Sequence, residues 1–183
     1  MKFGGTSVGN IDRIKNVAKI VKKNVDQGNS IVVVVSAMAG ITNELQKKAE
    51  NISKNFNEED CDLLLSSGEQ VSTALLSGAL NDIKIKAKTL MSWQIPIVTE
   101  GKHTNGRIIS VNTDIIKKSL NQNFVVVIPG FQGINEQLRI NTLGRGGSDT
   151  SAVVLAKCLK ASRCEIFTDV DGCLLYTSPS PRD

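Results

Sequence analysis

Lys2 stands at the start of the segment KFGGTS, two residues before the pair Gly4 and Gly5. Consecutive glycines let backbone N–H groups approach a bound group closely, and a helical pattern follows from Asn10. An ammonium group, a bare backbone turn and a helix N-terminus are the parts of a phosphate site. The same six residues also fit a tight turn beside a solvated lysine, so both interpretations stay open.

A second glycine-rich segment, TLGRGGSD, places Arg145 between Gly144 and Gly146. A guanidinium group there suits two-point capture of a carboxylate or a phosphate. The segment does not match the dinucleotide fingerprint, because Asp149 stands where that pattern needs glycine or alanine, and the chain has no P-loop sequence. Ser148 and Asp149 could also simply cap the helix that follows.

Two isolated polar residues have less specific patterns. Glu69 lies within SSGEQVSTALL, an otherwise small and apolar helical stretch, where a carboxylate pairs with a cation, binds a ligand amine or is exposed. His103 is the only histidine and is predicted to lie in a loop. A site built from several histidines is therefore excluded, and a Ser-His-Asp triad would depend on this one residue.

The elements around these residues alternate between helix and strand, which predicts an α/β sandwich with a mainly parallel sheet. Apolar residues recur at helical spacing in residues 11–25, 63–80, 111–120 and 150–159. Short apolar or alternating runs predict strands at 31–35, 84–90, 124–128 and 164–168, with a short extended piece at 95–98 and a hairpin arm at 138–141. Ligands bind at the carboxyl ends of such strands, so the segments KFGGTS, VSAMAGIT, IPGFQG and FTDVDG are expected to converge on one edge.

Composition narrows the function classes. The 183 residues carry a net charge of +4, which is low for a nucleic-acid-binding protein. No apolar run approaches the roughly 20 residues of a membrane span. The four cysteines form no CxxC pair, so we expect a reducing, cytoplasmic location. From the low charge and the short apolar runs we expect no nucleic-acid partner and no membrane partner.

The motifs in their order resemble the amino acid kinase family, and within it the aspartate kinases. The matching segments are KFGGTSV, VSAMAGITN, SSGEQVSTALL, PGFQG, TLGRGGSDTSA and EIFTDVDG. The resemblance implies a three-layer αβα sandwich with a mainly parallel central sheet. It also implies transfer of the ATP γ-phosphoryl group to the side-chain carboxylate of L-aspartate, the first step of lysine, threonine and methionine biosynthesis. Mg²⁺ would accompany ATP, and the full-length enzyme would form homo- or hetero-oligomers.

The resemblance also assigns roles to residues, motif by motif. The residues expected to act on the transferring phosphoryl group are Lys2, Gly4, Gly5 and Asp149, with Asp149 holding Lys2 in place. Those expected to bind aspartate are Ser36, Thr42, Glu69, Phe131, Arg145 and Ser148. Those expected at the nucleotide are Lys2, Gly5, Thr6, Ser7, Thr168 and Asp169. No protein ligand for a metal ion is expected, because the nucleotide and water would hold Mg²⁺.

The resemblance spans residues 1 to about 172, which are expected to form a catalytic domain that is incomplete at both ends. The segment CLLYTSPSPRD, residues 173–183, departs from the family pattern and is expected to be a non-native tail. A chain of this extent would lack half of the ATP pocket and would be inactive. Two alternatives remain, namely a family member that acts on glutamate, N-acetylglutamate, carbamate or UMP, and a non-catalytic amino-acid-binding module.

Overall fold

The structure, a computed structural model, describes residues 1–168, so the expected tail at 173–183 lies outside the described residues. The strands are β1 (Lys2–Phe3), β2 (Val32–Val35), β3 (Ala87–Thr89), β4 (Ile97–Glu100), β5 (Arg107–Val111), β6 (Val125–Pro129), β7 (Gln132–Ile134), β8 (Ile140–Thr142) and β9 (Ile166–Phe167). The helices are α1 (Ile11–Asp26), α2 (Ile41–Ile52), α3 (Glu58–Asp82), α4 (Asp114–Asn121) and α5 (Gly147–Leu159).

Five strands form a parallel sheet in the order β3-β6-β2-β1-β9. The runs VVVV of β2 and VVVIP of β6 lie side by side at its centre, where helices cover both faces. A strand covered on both faces needs apolar residues at every position, which is why these runs do not alternate. The sequence-based prediction of a mainly parallel central sheet is confirmed.

Helices cover the two faces of this sheet and complete three layers. On one face, α1 and α3 pack against alternate strand residues, and the core there includes Phe3, Val17, Val33, Leu76 and Val127. On the other face, α4 and α5 pack against the remaining residues, including Val34, Ile116, Val126, Ile128 and Leu155. The αβα sandwich expected from the sequence is therefore confirmed, and it presents the carboxyl ends of the strands at one edge.

A second sheet was not predicted from the sequence. Strands β5-β4-β7-β8 form it, and only the β4–β7 pair is parallel. The sequence predicts a helix from residue 111. In the structure Val111 is instead the last residue of β5, and α4 starts at Asp114. The extended segments predicted at 95–98 and 138–141 overlap β4 and β8, but strands of three to five residues carry too little periodicity to predict how they pair.

The helix α3 is the longest element and spans 25 residues. Asn57 caps it by accepting hydrogen bonds from the N–H groups of Glu59 and Asp60. The helix thus begins five residues earlier than the apolar pattern predicted. None of the helices in residues 1–168 has the length and hydrophobicity to cross a membrane.

Candidate active site

The corners that follow the parallel strands meet at one edge, as the α/β rule predicts. The N–H of Ala39 donates to the carbonyl of Gly5 over 3.1 Å, which joins the corners after β1 and β2. The N–H of Gly4 donates to the carbonyl of Phe167 over 3.3 Å, which joins the first corner to the end of β9. These main-chain bonds form the floor of a candidate site.

Lys2 lies in β1 between β2 and β9, and the residue is only 6% exposed. Its Nζ lies 2.7 Å from Oδ1 of Asp149, in the first turn of α5. A buried ammonium group requires a compensating charge, and this carboxylate supplies it. The Asp149 side chain is about half exposed, so the pair lies at the border between core and solvent.

Glu69 is buried on α3, with 3% of its surface exposed. Its Oε1 accepts a hydrogen bond of 3.0 Å from the N–H of Ala37, at the corner after β2. Its Oε2 is buried and has no hydrogen-bond partner within residues 1–168. Burial raises the pKa of Glu69 to about 7, against the opposing effect of the bond from Ala37. This half-satisfied carboxylate is suited to a cationic ligand.

Arg145 lies in the turn between β8 and α5 and is exposed. Within residues 1–168 it makes no salt bridge, so its guanidinium group is available to an anion. The adjacent corner after β6 is fixed to α5, because the N–H of Phe131 donates to Oγ of Ser151 over 3.1 Å. Phe131 itself has a φ of +69°, which is uncommon for a residue with a side chain.

These features enclose a cavity of about 320 Å³, within the range typical of small-molecule sites. Predicted site residues that line it are Lys2, Gly5, Ser36, Thr42, Glu69, Phe131, Arg145, Ser148 and Asp149. The cavity therefore combines two cations, a buried carboxylate and glycine-rich backbone. This combination can bind an anion and an amine side by side.

Four other predicted residues, Gly4, Thr6, Ser7 and Thr168, lie near the cavity but do not line it. An ideal Cβ built on Gly4 would lie 3.6 Å from Nζ of Lys2, so Gly4 adjoins the ammonium group. Thr6 and Ser7 belong to the turn before α1, in which the Thr6 carbonyl accepts from the N–H of Gly9. Thr168 directly follows β9 at the same edge. Asp169 lies outside the described residues.

A larger cavity of about 400 Å³ lies at the opposite end of the sheet. Its lining includes Met1, Ile31 and Cys164, which stand at or just before the starts of β1, β2 and β9. Ligands of open α/β sheets bind instead beyond the carboxyl ends of the strands. The smaller cavity is therefore the candidate active site.

A sequence model of the amino acid kinase family matches residues 1–182. The chain belongs to the amino acid kinase family. The expected family is thereby confirmed.

Relatives within this family are named as aspartate kinases. An aspartokinase of Geobacillus stearothermophilus is 51% identical over 171 residues, covering 93% of this chain and 42% of its own length. The crystal structure of aspartate kinase from Synechocystis is 52% identical, with a TM-score of 0.79 over 92% of this chain and 28% of that chain. E. coli aspartokinase III in complex with aspartate and ADP is 27% identical, with a TM-score of 0.80 over 93% of this chain and 49% of that chain. The chain thus spans less than half the length of each of these relatives.

Two contacts in the structure could not be recognised from the sequence. The N–H of Ala37, which holds Glu69, carries no side-chain signal. His103 lies in a loop, as predicted, but its Nδ1 is 2.7 Å from Oδ2 of the buried Asp62. Asp62 lies one residue before the apolar run of α3, where it resembles an ordinary exposed acid near a helix N-terminus.

The variant Glu69→Gln should be more stable than the wild-type chain, by a margin that grows as the pH rises. The folded chain holds the Glu69 proton more tightly than the unfolded chain, so ionisation lowers the free energy of unfolding between about pH 4.5 and pH 7. The wild type should lose up to about 3 kcal/mol relative to Glu69→Gln over this interval, with a plateau above pH 7. Urea unfolding at pH 5, 6, 7 and 8 measures this difference.

Glu44→Gln is the matched control for that experiment. Glu44 is exposed, and its hydrogen bond and ion pair with Lys48 lower its pKa. This variant should gain nothing as the pH rises. A constant difference between Glu69→Gln and the wild type from pH 5 to pH 8 would contradict a raised pKa at Glu69.

The helix that carries Glu69 approaches the corner after β2 through Gly68. A Cβ on Gly68 would lie 2.8 Å from the Cβ of Ala37, closer than two such atoms can approach. Gly68→Ala should therefore push α3 away, stretch the bond from Ala37 to Glu69 and cost about 1–3 kcal/mol. Gly78→Ala, on the same helix with open space around it, should instead stabilise by up to about 1 kcal/mol. Thermal unfolding of the two variants tests this opposite pair of effects.

Proposed function

We propose that this chain forms part of the catalytic domain of an aspartate kinase. ATP would transfer its γ-phosphoryl group to the side-chain carboxylate of L-aspartate, giving ADP and 4-phospho-L-aspartate. The proposal rests on one observation: Glu69 and Arg145 line the same cavity as the Lys2–Asp149 pair. The names of the relatives support the same activity.

The acceptor end of the cavity fits a free amino acid. The unsatisfied Oε2 of Glu69 would accept a hydrogen bond from the α-ammonium group, which would keep the carboxylate ionised at neutral pH. Arg145 would bind the α-carboxylate through two parallel hydrogen bonds. Ser36, Thr42, Phe131 and Ser148 would complete the walls around the substrate. An acceptor without an amine would leave Glu69 uncompensated, which favours aspartate over UMP or carbamate.

The donor end fits a phosphoryl group. The Lys2 ammonium would neutralise charge on the transferring group, and Asp149 would keep Lys2 in place. Within residues 1–168 the Gly5 N–H has no hydrogen-bond partner, so it would donate to a phosphoryl oxygen, whereas the Gly4 N–H donates to Phe167. The attacking carboxylate needs no general base, so positioning and charge neutralisation suffice. Thr6, Ser7, Thr168 and Asp169 would contribute to the nucleotide side.

Mg²⁺ would accompany ATP and would neutralise part of the charge on its phosphates. Residues 1–168 contain no group of three or more His, Cys, Asp or Glu side chains that could hold a metal ion. In this proposal phosphate oxygens and water hold the ion. We further propose that the full-length enzyme is cytoplasmic and forms an oligomer. It would catalyse the first step in the biosynthesis of lysine, threonine and methionine.

Two experiments test the proposed function. Calorimetry on the 183-residue chain should detect binding of L-aspartate, and binding of N-acetyl-L-aspartate should be at least about 30-fold weaker because its nitrogen carries no charge. A chimera that joins residues 1–172 to the remaining part of the Geobacillus relative should form ADP only when L-aspartate is present. Phosphorylation of UMP, glutamate or carbamate in preference to aspartate would overturn the proposal. Binding of aspartate without turnover in the chimera would favour a non-catalytic module.

A further inference from the structure

Asp62 is a fully buried carboxylate that lies outside the cavity. It is on α3, seven residues before Glu69, which corresponds to a distance of about 10 Å along the helix axis. A buried carboxylate destabilises a fold unless hydrogen bonds or charges compensate it. The partners of Asp62 therefore indicate what this side chain does.

Three groups from two other segments bind the Asp62 carboxylate. His103 Nδ1 lies 2.7 Å from Oδ2, and the Thr104 N–H lies 3.1 Å from both oxygens. The hydroxyl group of Thr142 donates to Oδ1. Nδ1 of His103 donates to this carboxylate in the ring form that carries a proton on Nδ1. One side chain thus connects α3, the loop 101–106 between β4 and β5, and the end of β8.

These two segments form the back of the turn that carries Arg145. The Gly106 N–H donates to the carbonyl of Thr142 over 2.8 Å, so loop 101–106 continues the edge of β8. The side chain of Asn105 packs directly on Gly144, where its Oδ1 would lie 2.6 Å from an added Cβ. Gly144 immediately precedes Arg145. The position of the turn therefore depends on a loop whose own position depends on Asp62.

We propose that Asp62 and His103 are positioning residues for Arg145, and so for the α-carboxylate of the acceptor. This inference rests on the proposed function, because it assigns a consequence to the site in which Arg145 binds aspartate. Arg145 is exposed and makes no salt bridge within residues 1–168, so its own side chain does not anchor the turn. The anchor is instead the buried carboxylate behind it, acting through loop 101–106.

A pair of substitutions at His103 separates positioning from general stability. His103→Asn keeps an N–H donor at the place of Nδ1, whereas His103→Ala removes it. We expect His103→Ala to weaken L-aspartate binding to the 183-residue chain by about tenfold, and His103→Asn to remain within about threefold of the wild type. Thr142→Val, which removes the other side-chain donor without changing its shape, should weaken binding in the same direction as His103→Ala.

The outward side of His103 provides the matched control. Nε2 of His103 lies 3.8 Å from Oε1 of Glu59, which is partly exposed and also pairs with Arg139. Glu59→Gln should leave aspartate binding within about twofold, because exposed ion pairs contribute little. An effect of Glu59→Gln equal to that of His103→Ala would assign the change to surface charge and overturn the inference.

Amide hydrogen exchange gives a readout that does not depend on aspartate. The Leu143 N–H donates to Phe131 and the Gly147 N–H donates to Gly144, so these two amides report on the turn around Arg145. His103→Ala should raise their exchange rates by about tenfold, and His103→Asn should restore protection. Faster exchange in a chain that binds no aspartate would uphold the positioning role and reject the proposed function. Unchanged exchange in His103→Ala, or equal effects of the Ala and Asn variants, would overturn the inference.

Discussion

Replacing Lys2 by methionine should lower the rate of phosphoryl transfer by about a thousandfold in the chimera, while L-aspartate binding changes by less than about threefold. Methionine keeps most of the length of lysine but lacks the ammonium group, and so removes its charge, its N–H donors and its pairing with Asp149. Lys2 is 6% exposed, so its ammonium group acts in surroundings that screen charge weakly. Steady-state rates of ADP formation, with calorimetric binding of aspartate, measure the two effects separately.

Two further variants make the Lys2 result specific. Lys22→Met removes a lysine that pairs with Asp26 on the exposed side of α1, and it should leave the rate unchanged. Asp149→Asn keeps the ammonium group but weakens its anchor, and we expect a smaller loss of about tenfold to thirtyfold. A Lys2→Met chimera that retains a third or more of the wild-type rate would show that another group neutralises the phosphoryl charge.

Replacing Arg145 by alanine should weaken L-aspartate binding by about a hundredfold, equivalent to about 2.7 kcal/mol. Arg145→Lys should recover only part of this loss, because an ammonium group keeps the charge but not the planar two-point contact. Arg145 is exposed and makes no salt bridge within residues 1–168, so neither variant should change the melting temperature much. Calorimetric titration of the 183-residue chain with aspartate measures the difference.

Arg163→Ala is the control for Arg145, because Arg163 is an exposed arginine paired with Glu165 at the opposite end of the sheet. This variant should bind aspartate like the wild type. Normal aspartate binding by Arg145→Ala, combined with weaker ATP binding in the chimera, would reassign Arg145 from the acceptor carboxylate to a phosphate. The sequence alone leaves both of these anions possible.

The apolar pattern of α3 was the least reliable guide to its environment. Leu63 and Val71 are more than half exposed, whereas the charged Glu69 and Asp62 are buried on the same helix. A prediction from helical periodicity places charged residues on the solvent-facing side of a helix. In α3 two acidic residues lie on the buried side instead. The sequence predicted that a helix exists here, but not which of its faces is covered.

The central parallel sheet, and the edge at which its glycine-rich corners meet, could be predicted from the amino-acid sequence. Continuous β-branched runs and small residues after strands are local patterns, so they can be recognised without knowledge of tertiary contacts. Three features could be seen only in the folded chain. They are the 2.7 Å contact of Lys2 with Asp149, the burial of Glu69 and the hydrogen bonds between loop 101–106 and Asp62. Each of them depends on residues that are far apart in the chain and meet only on folding. The pKa and the charge of a side chain depend on the groups that folding brings around it.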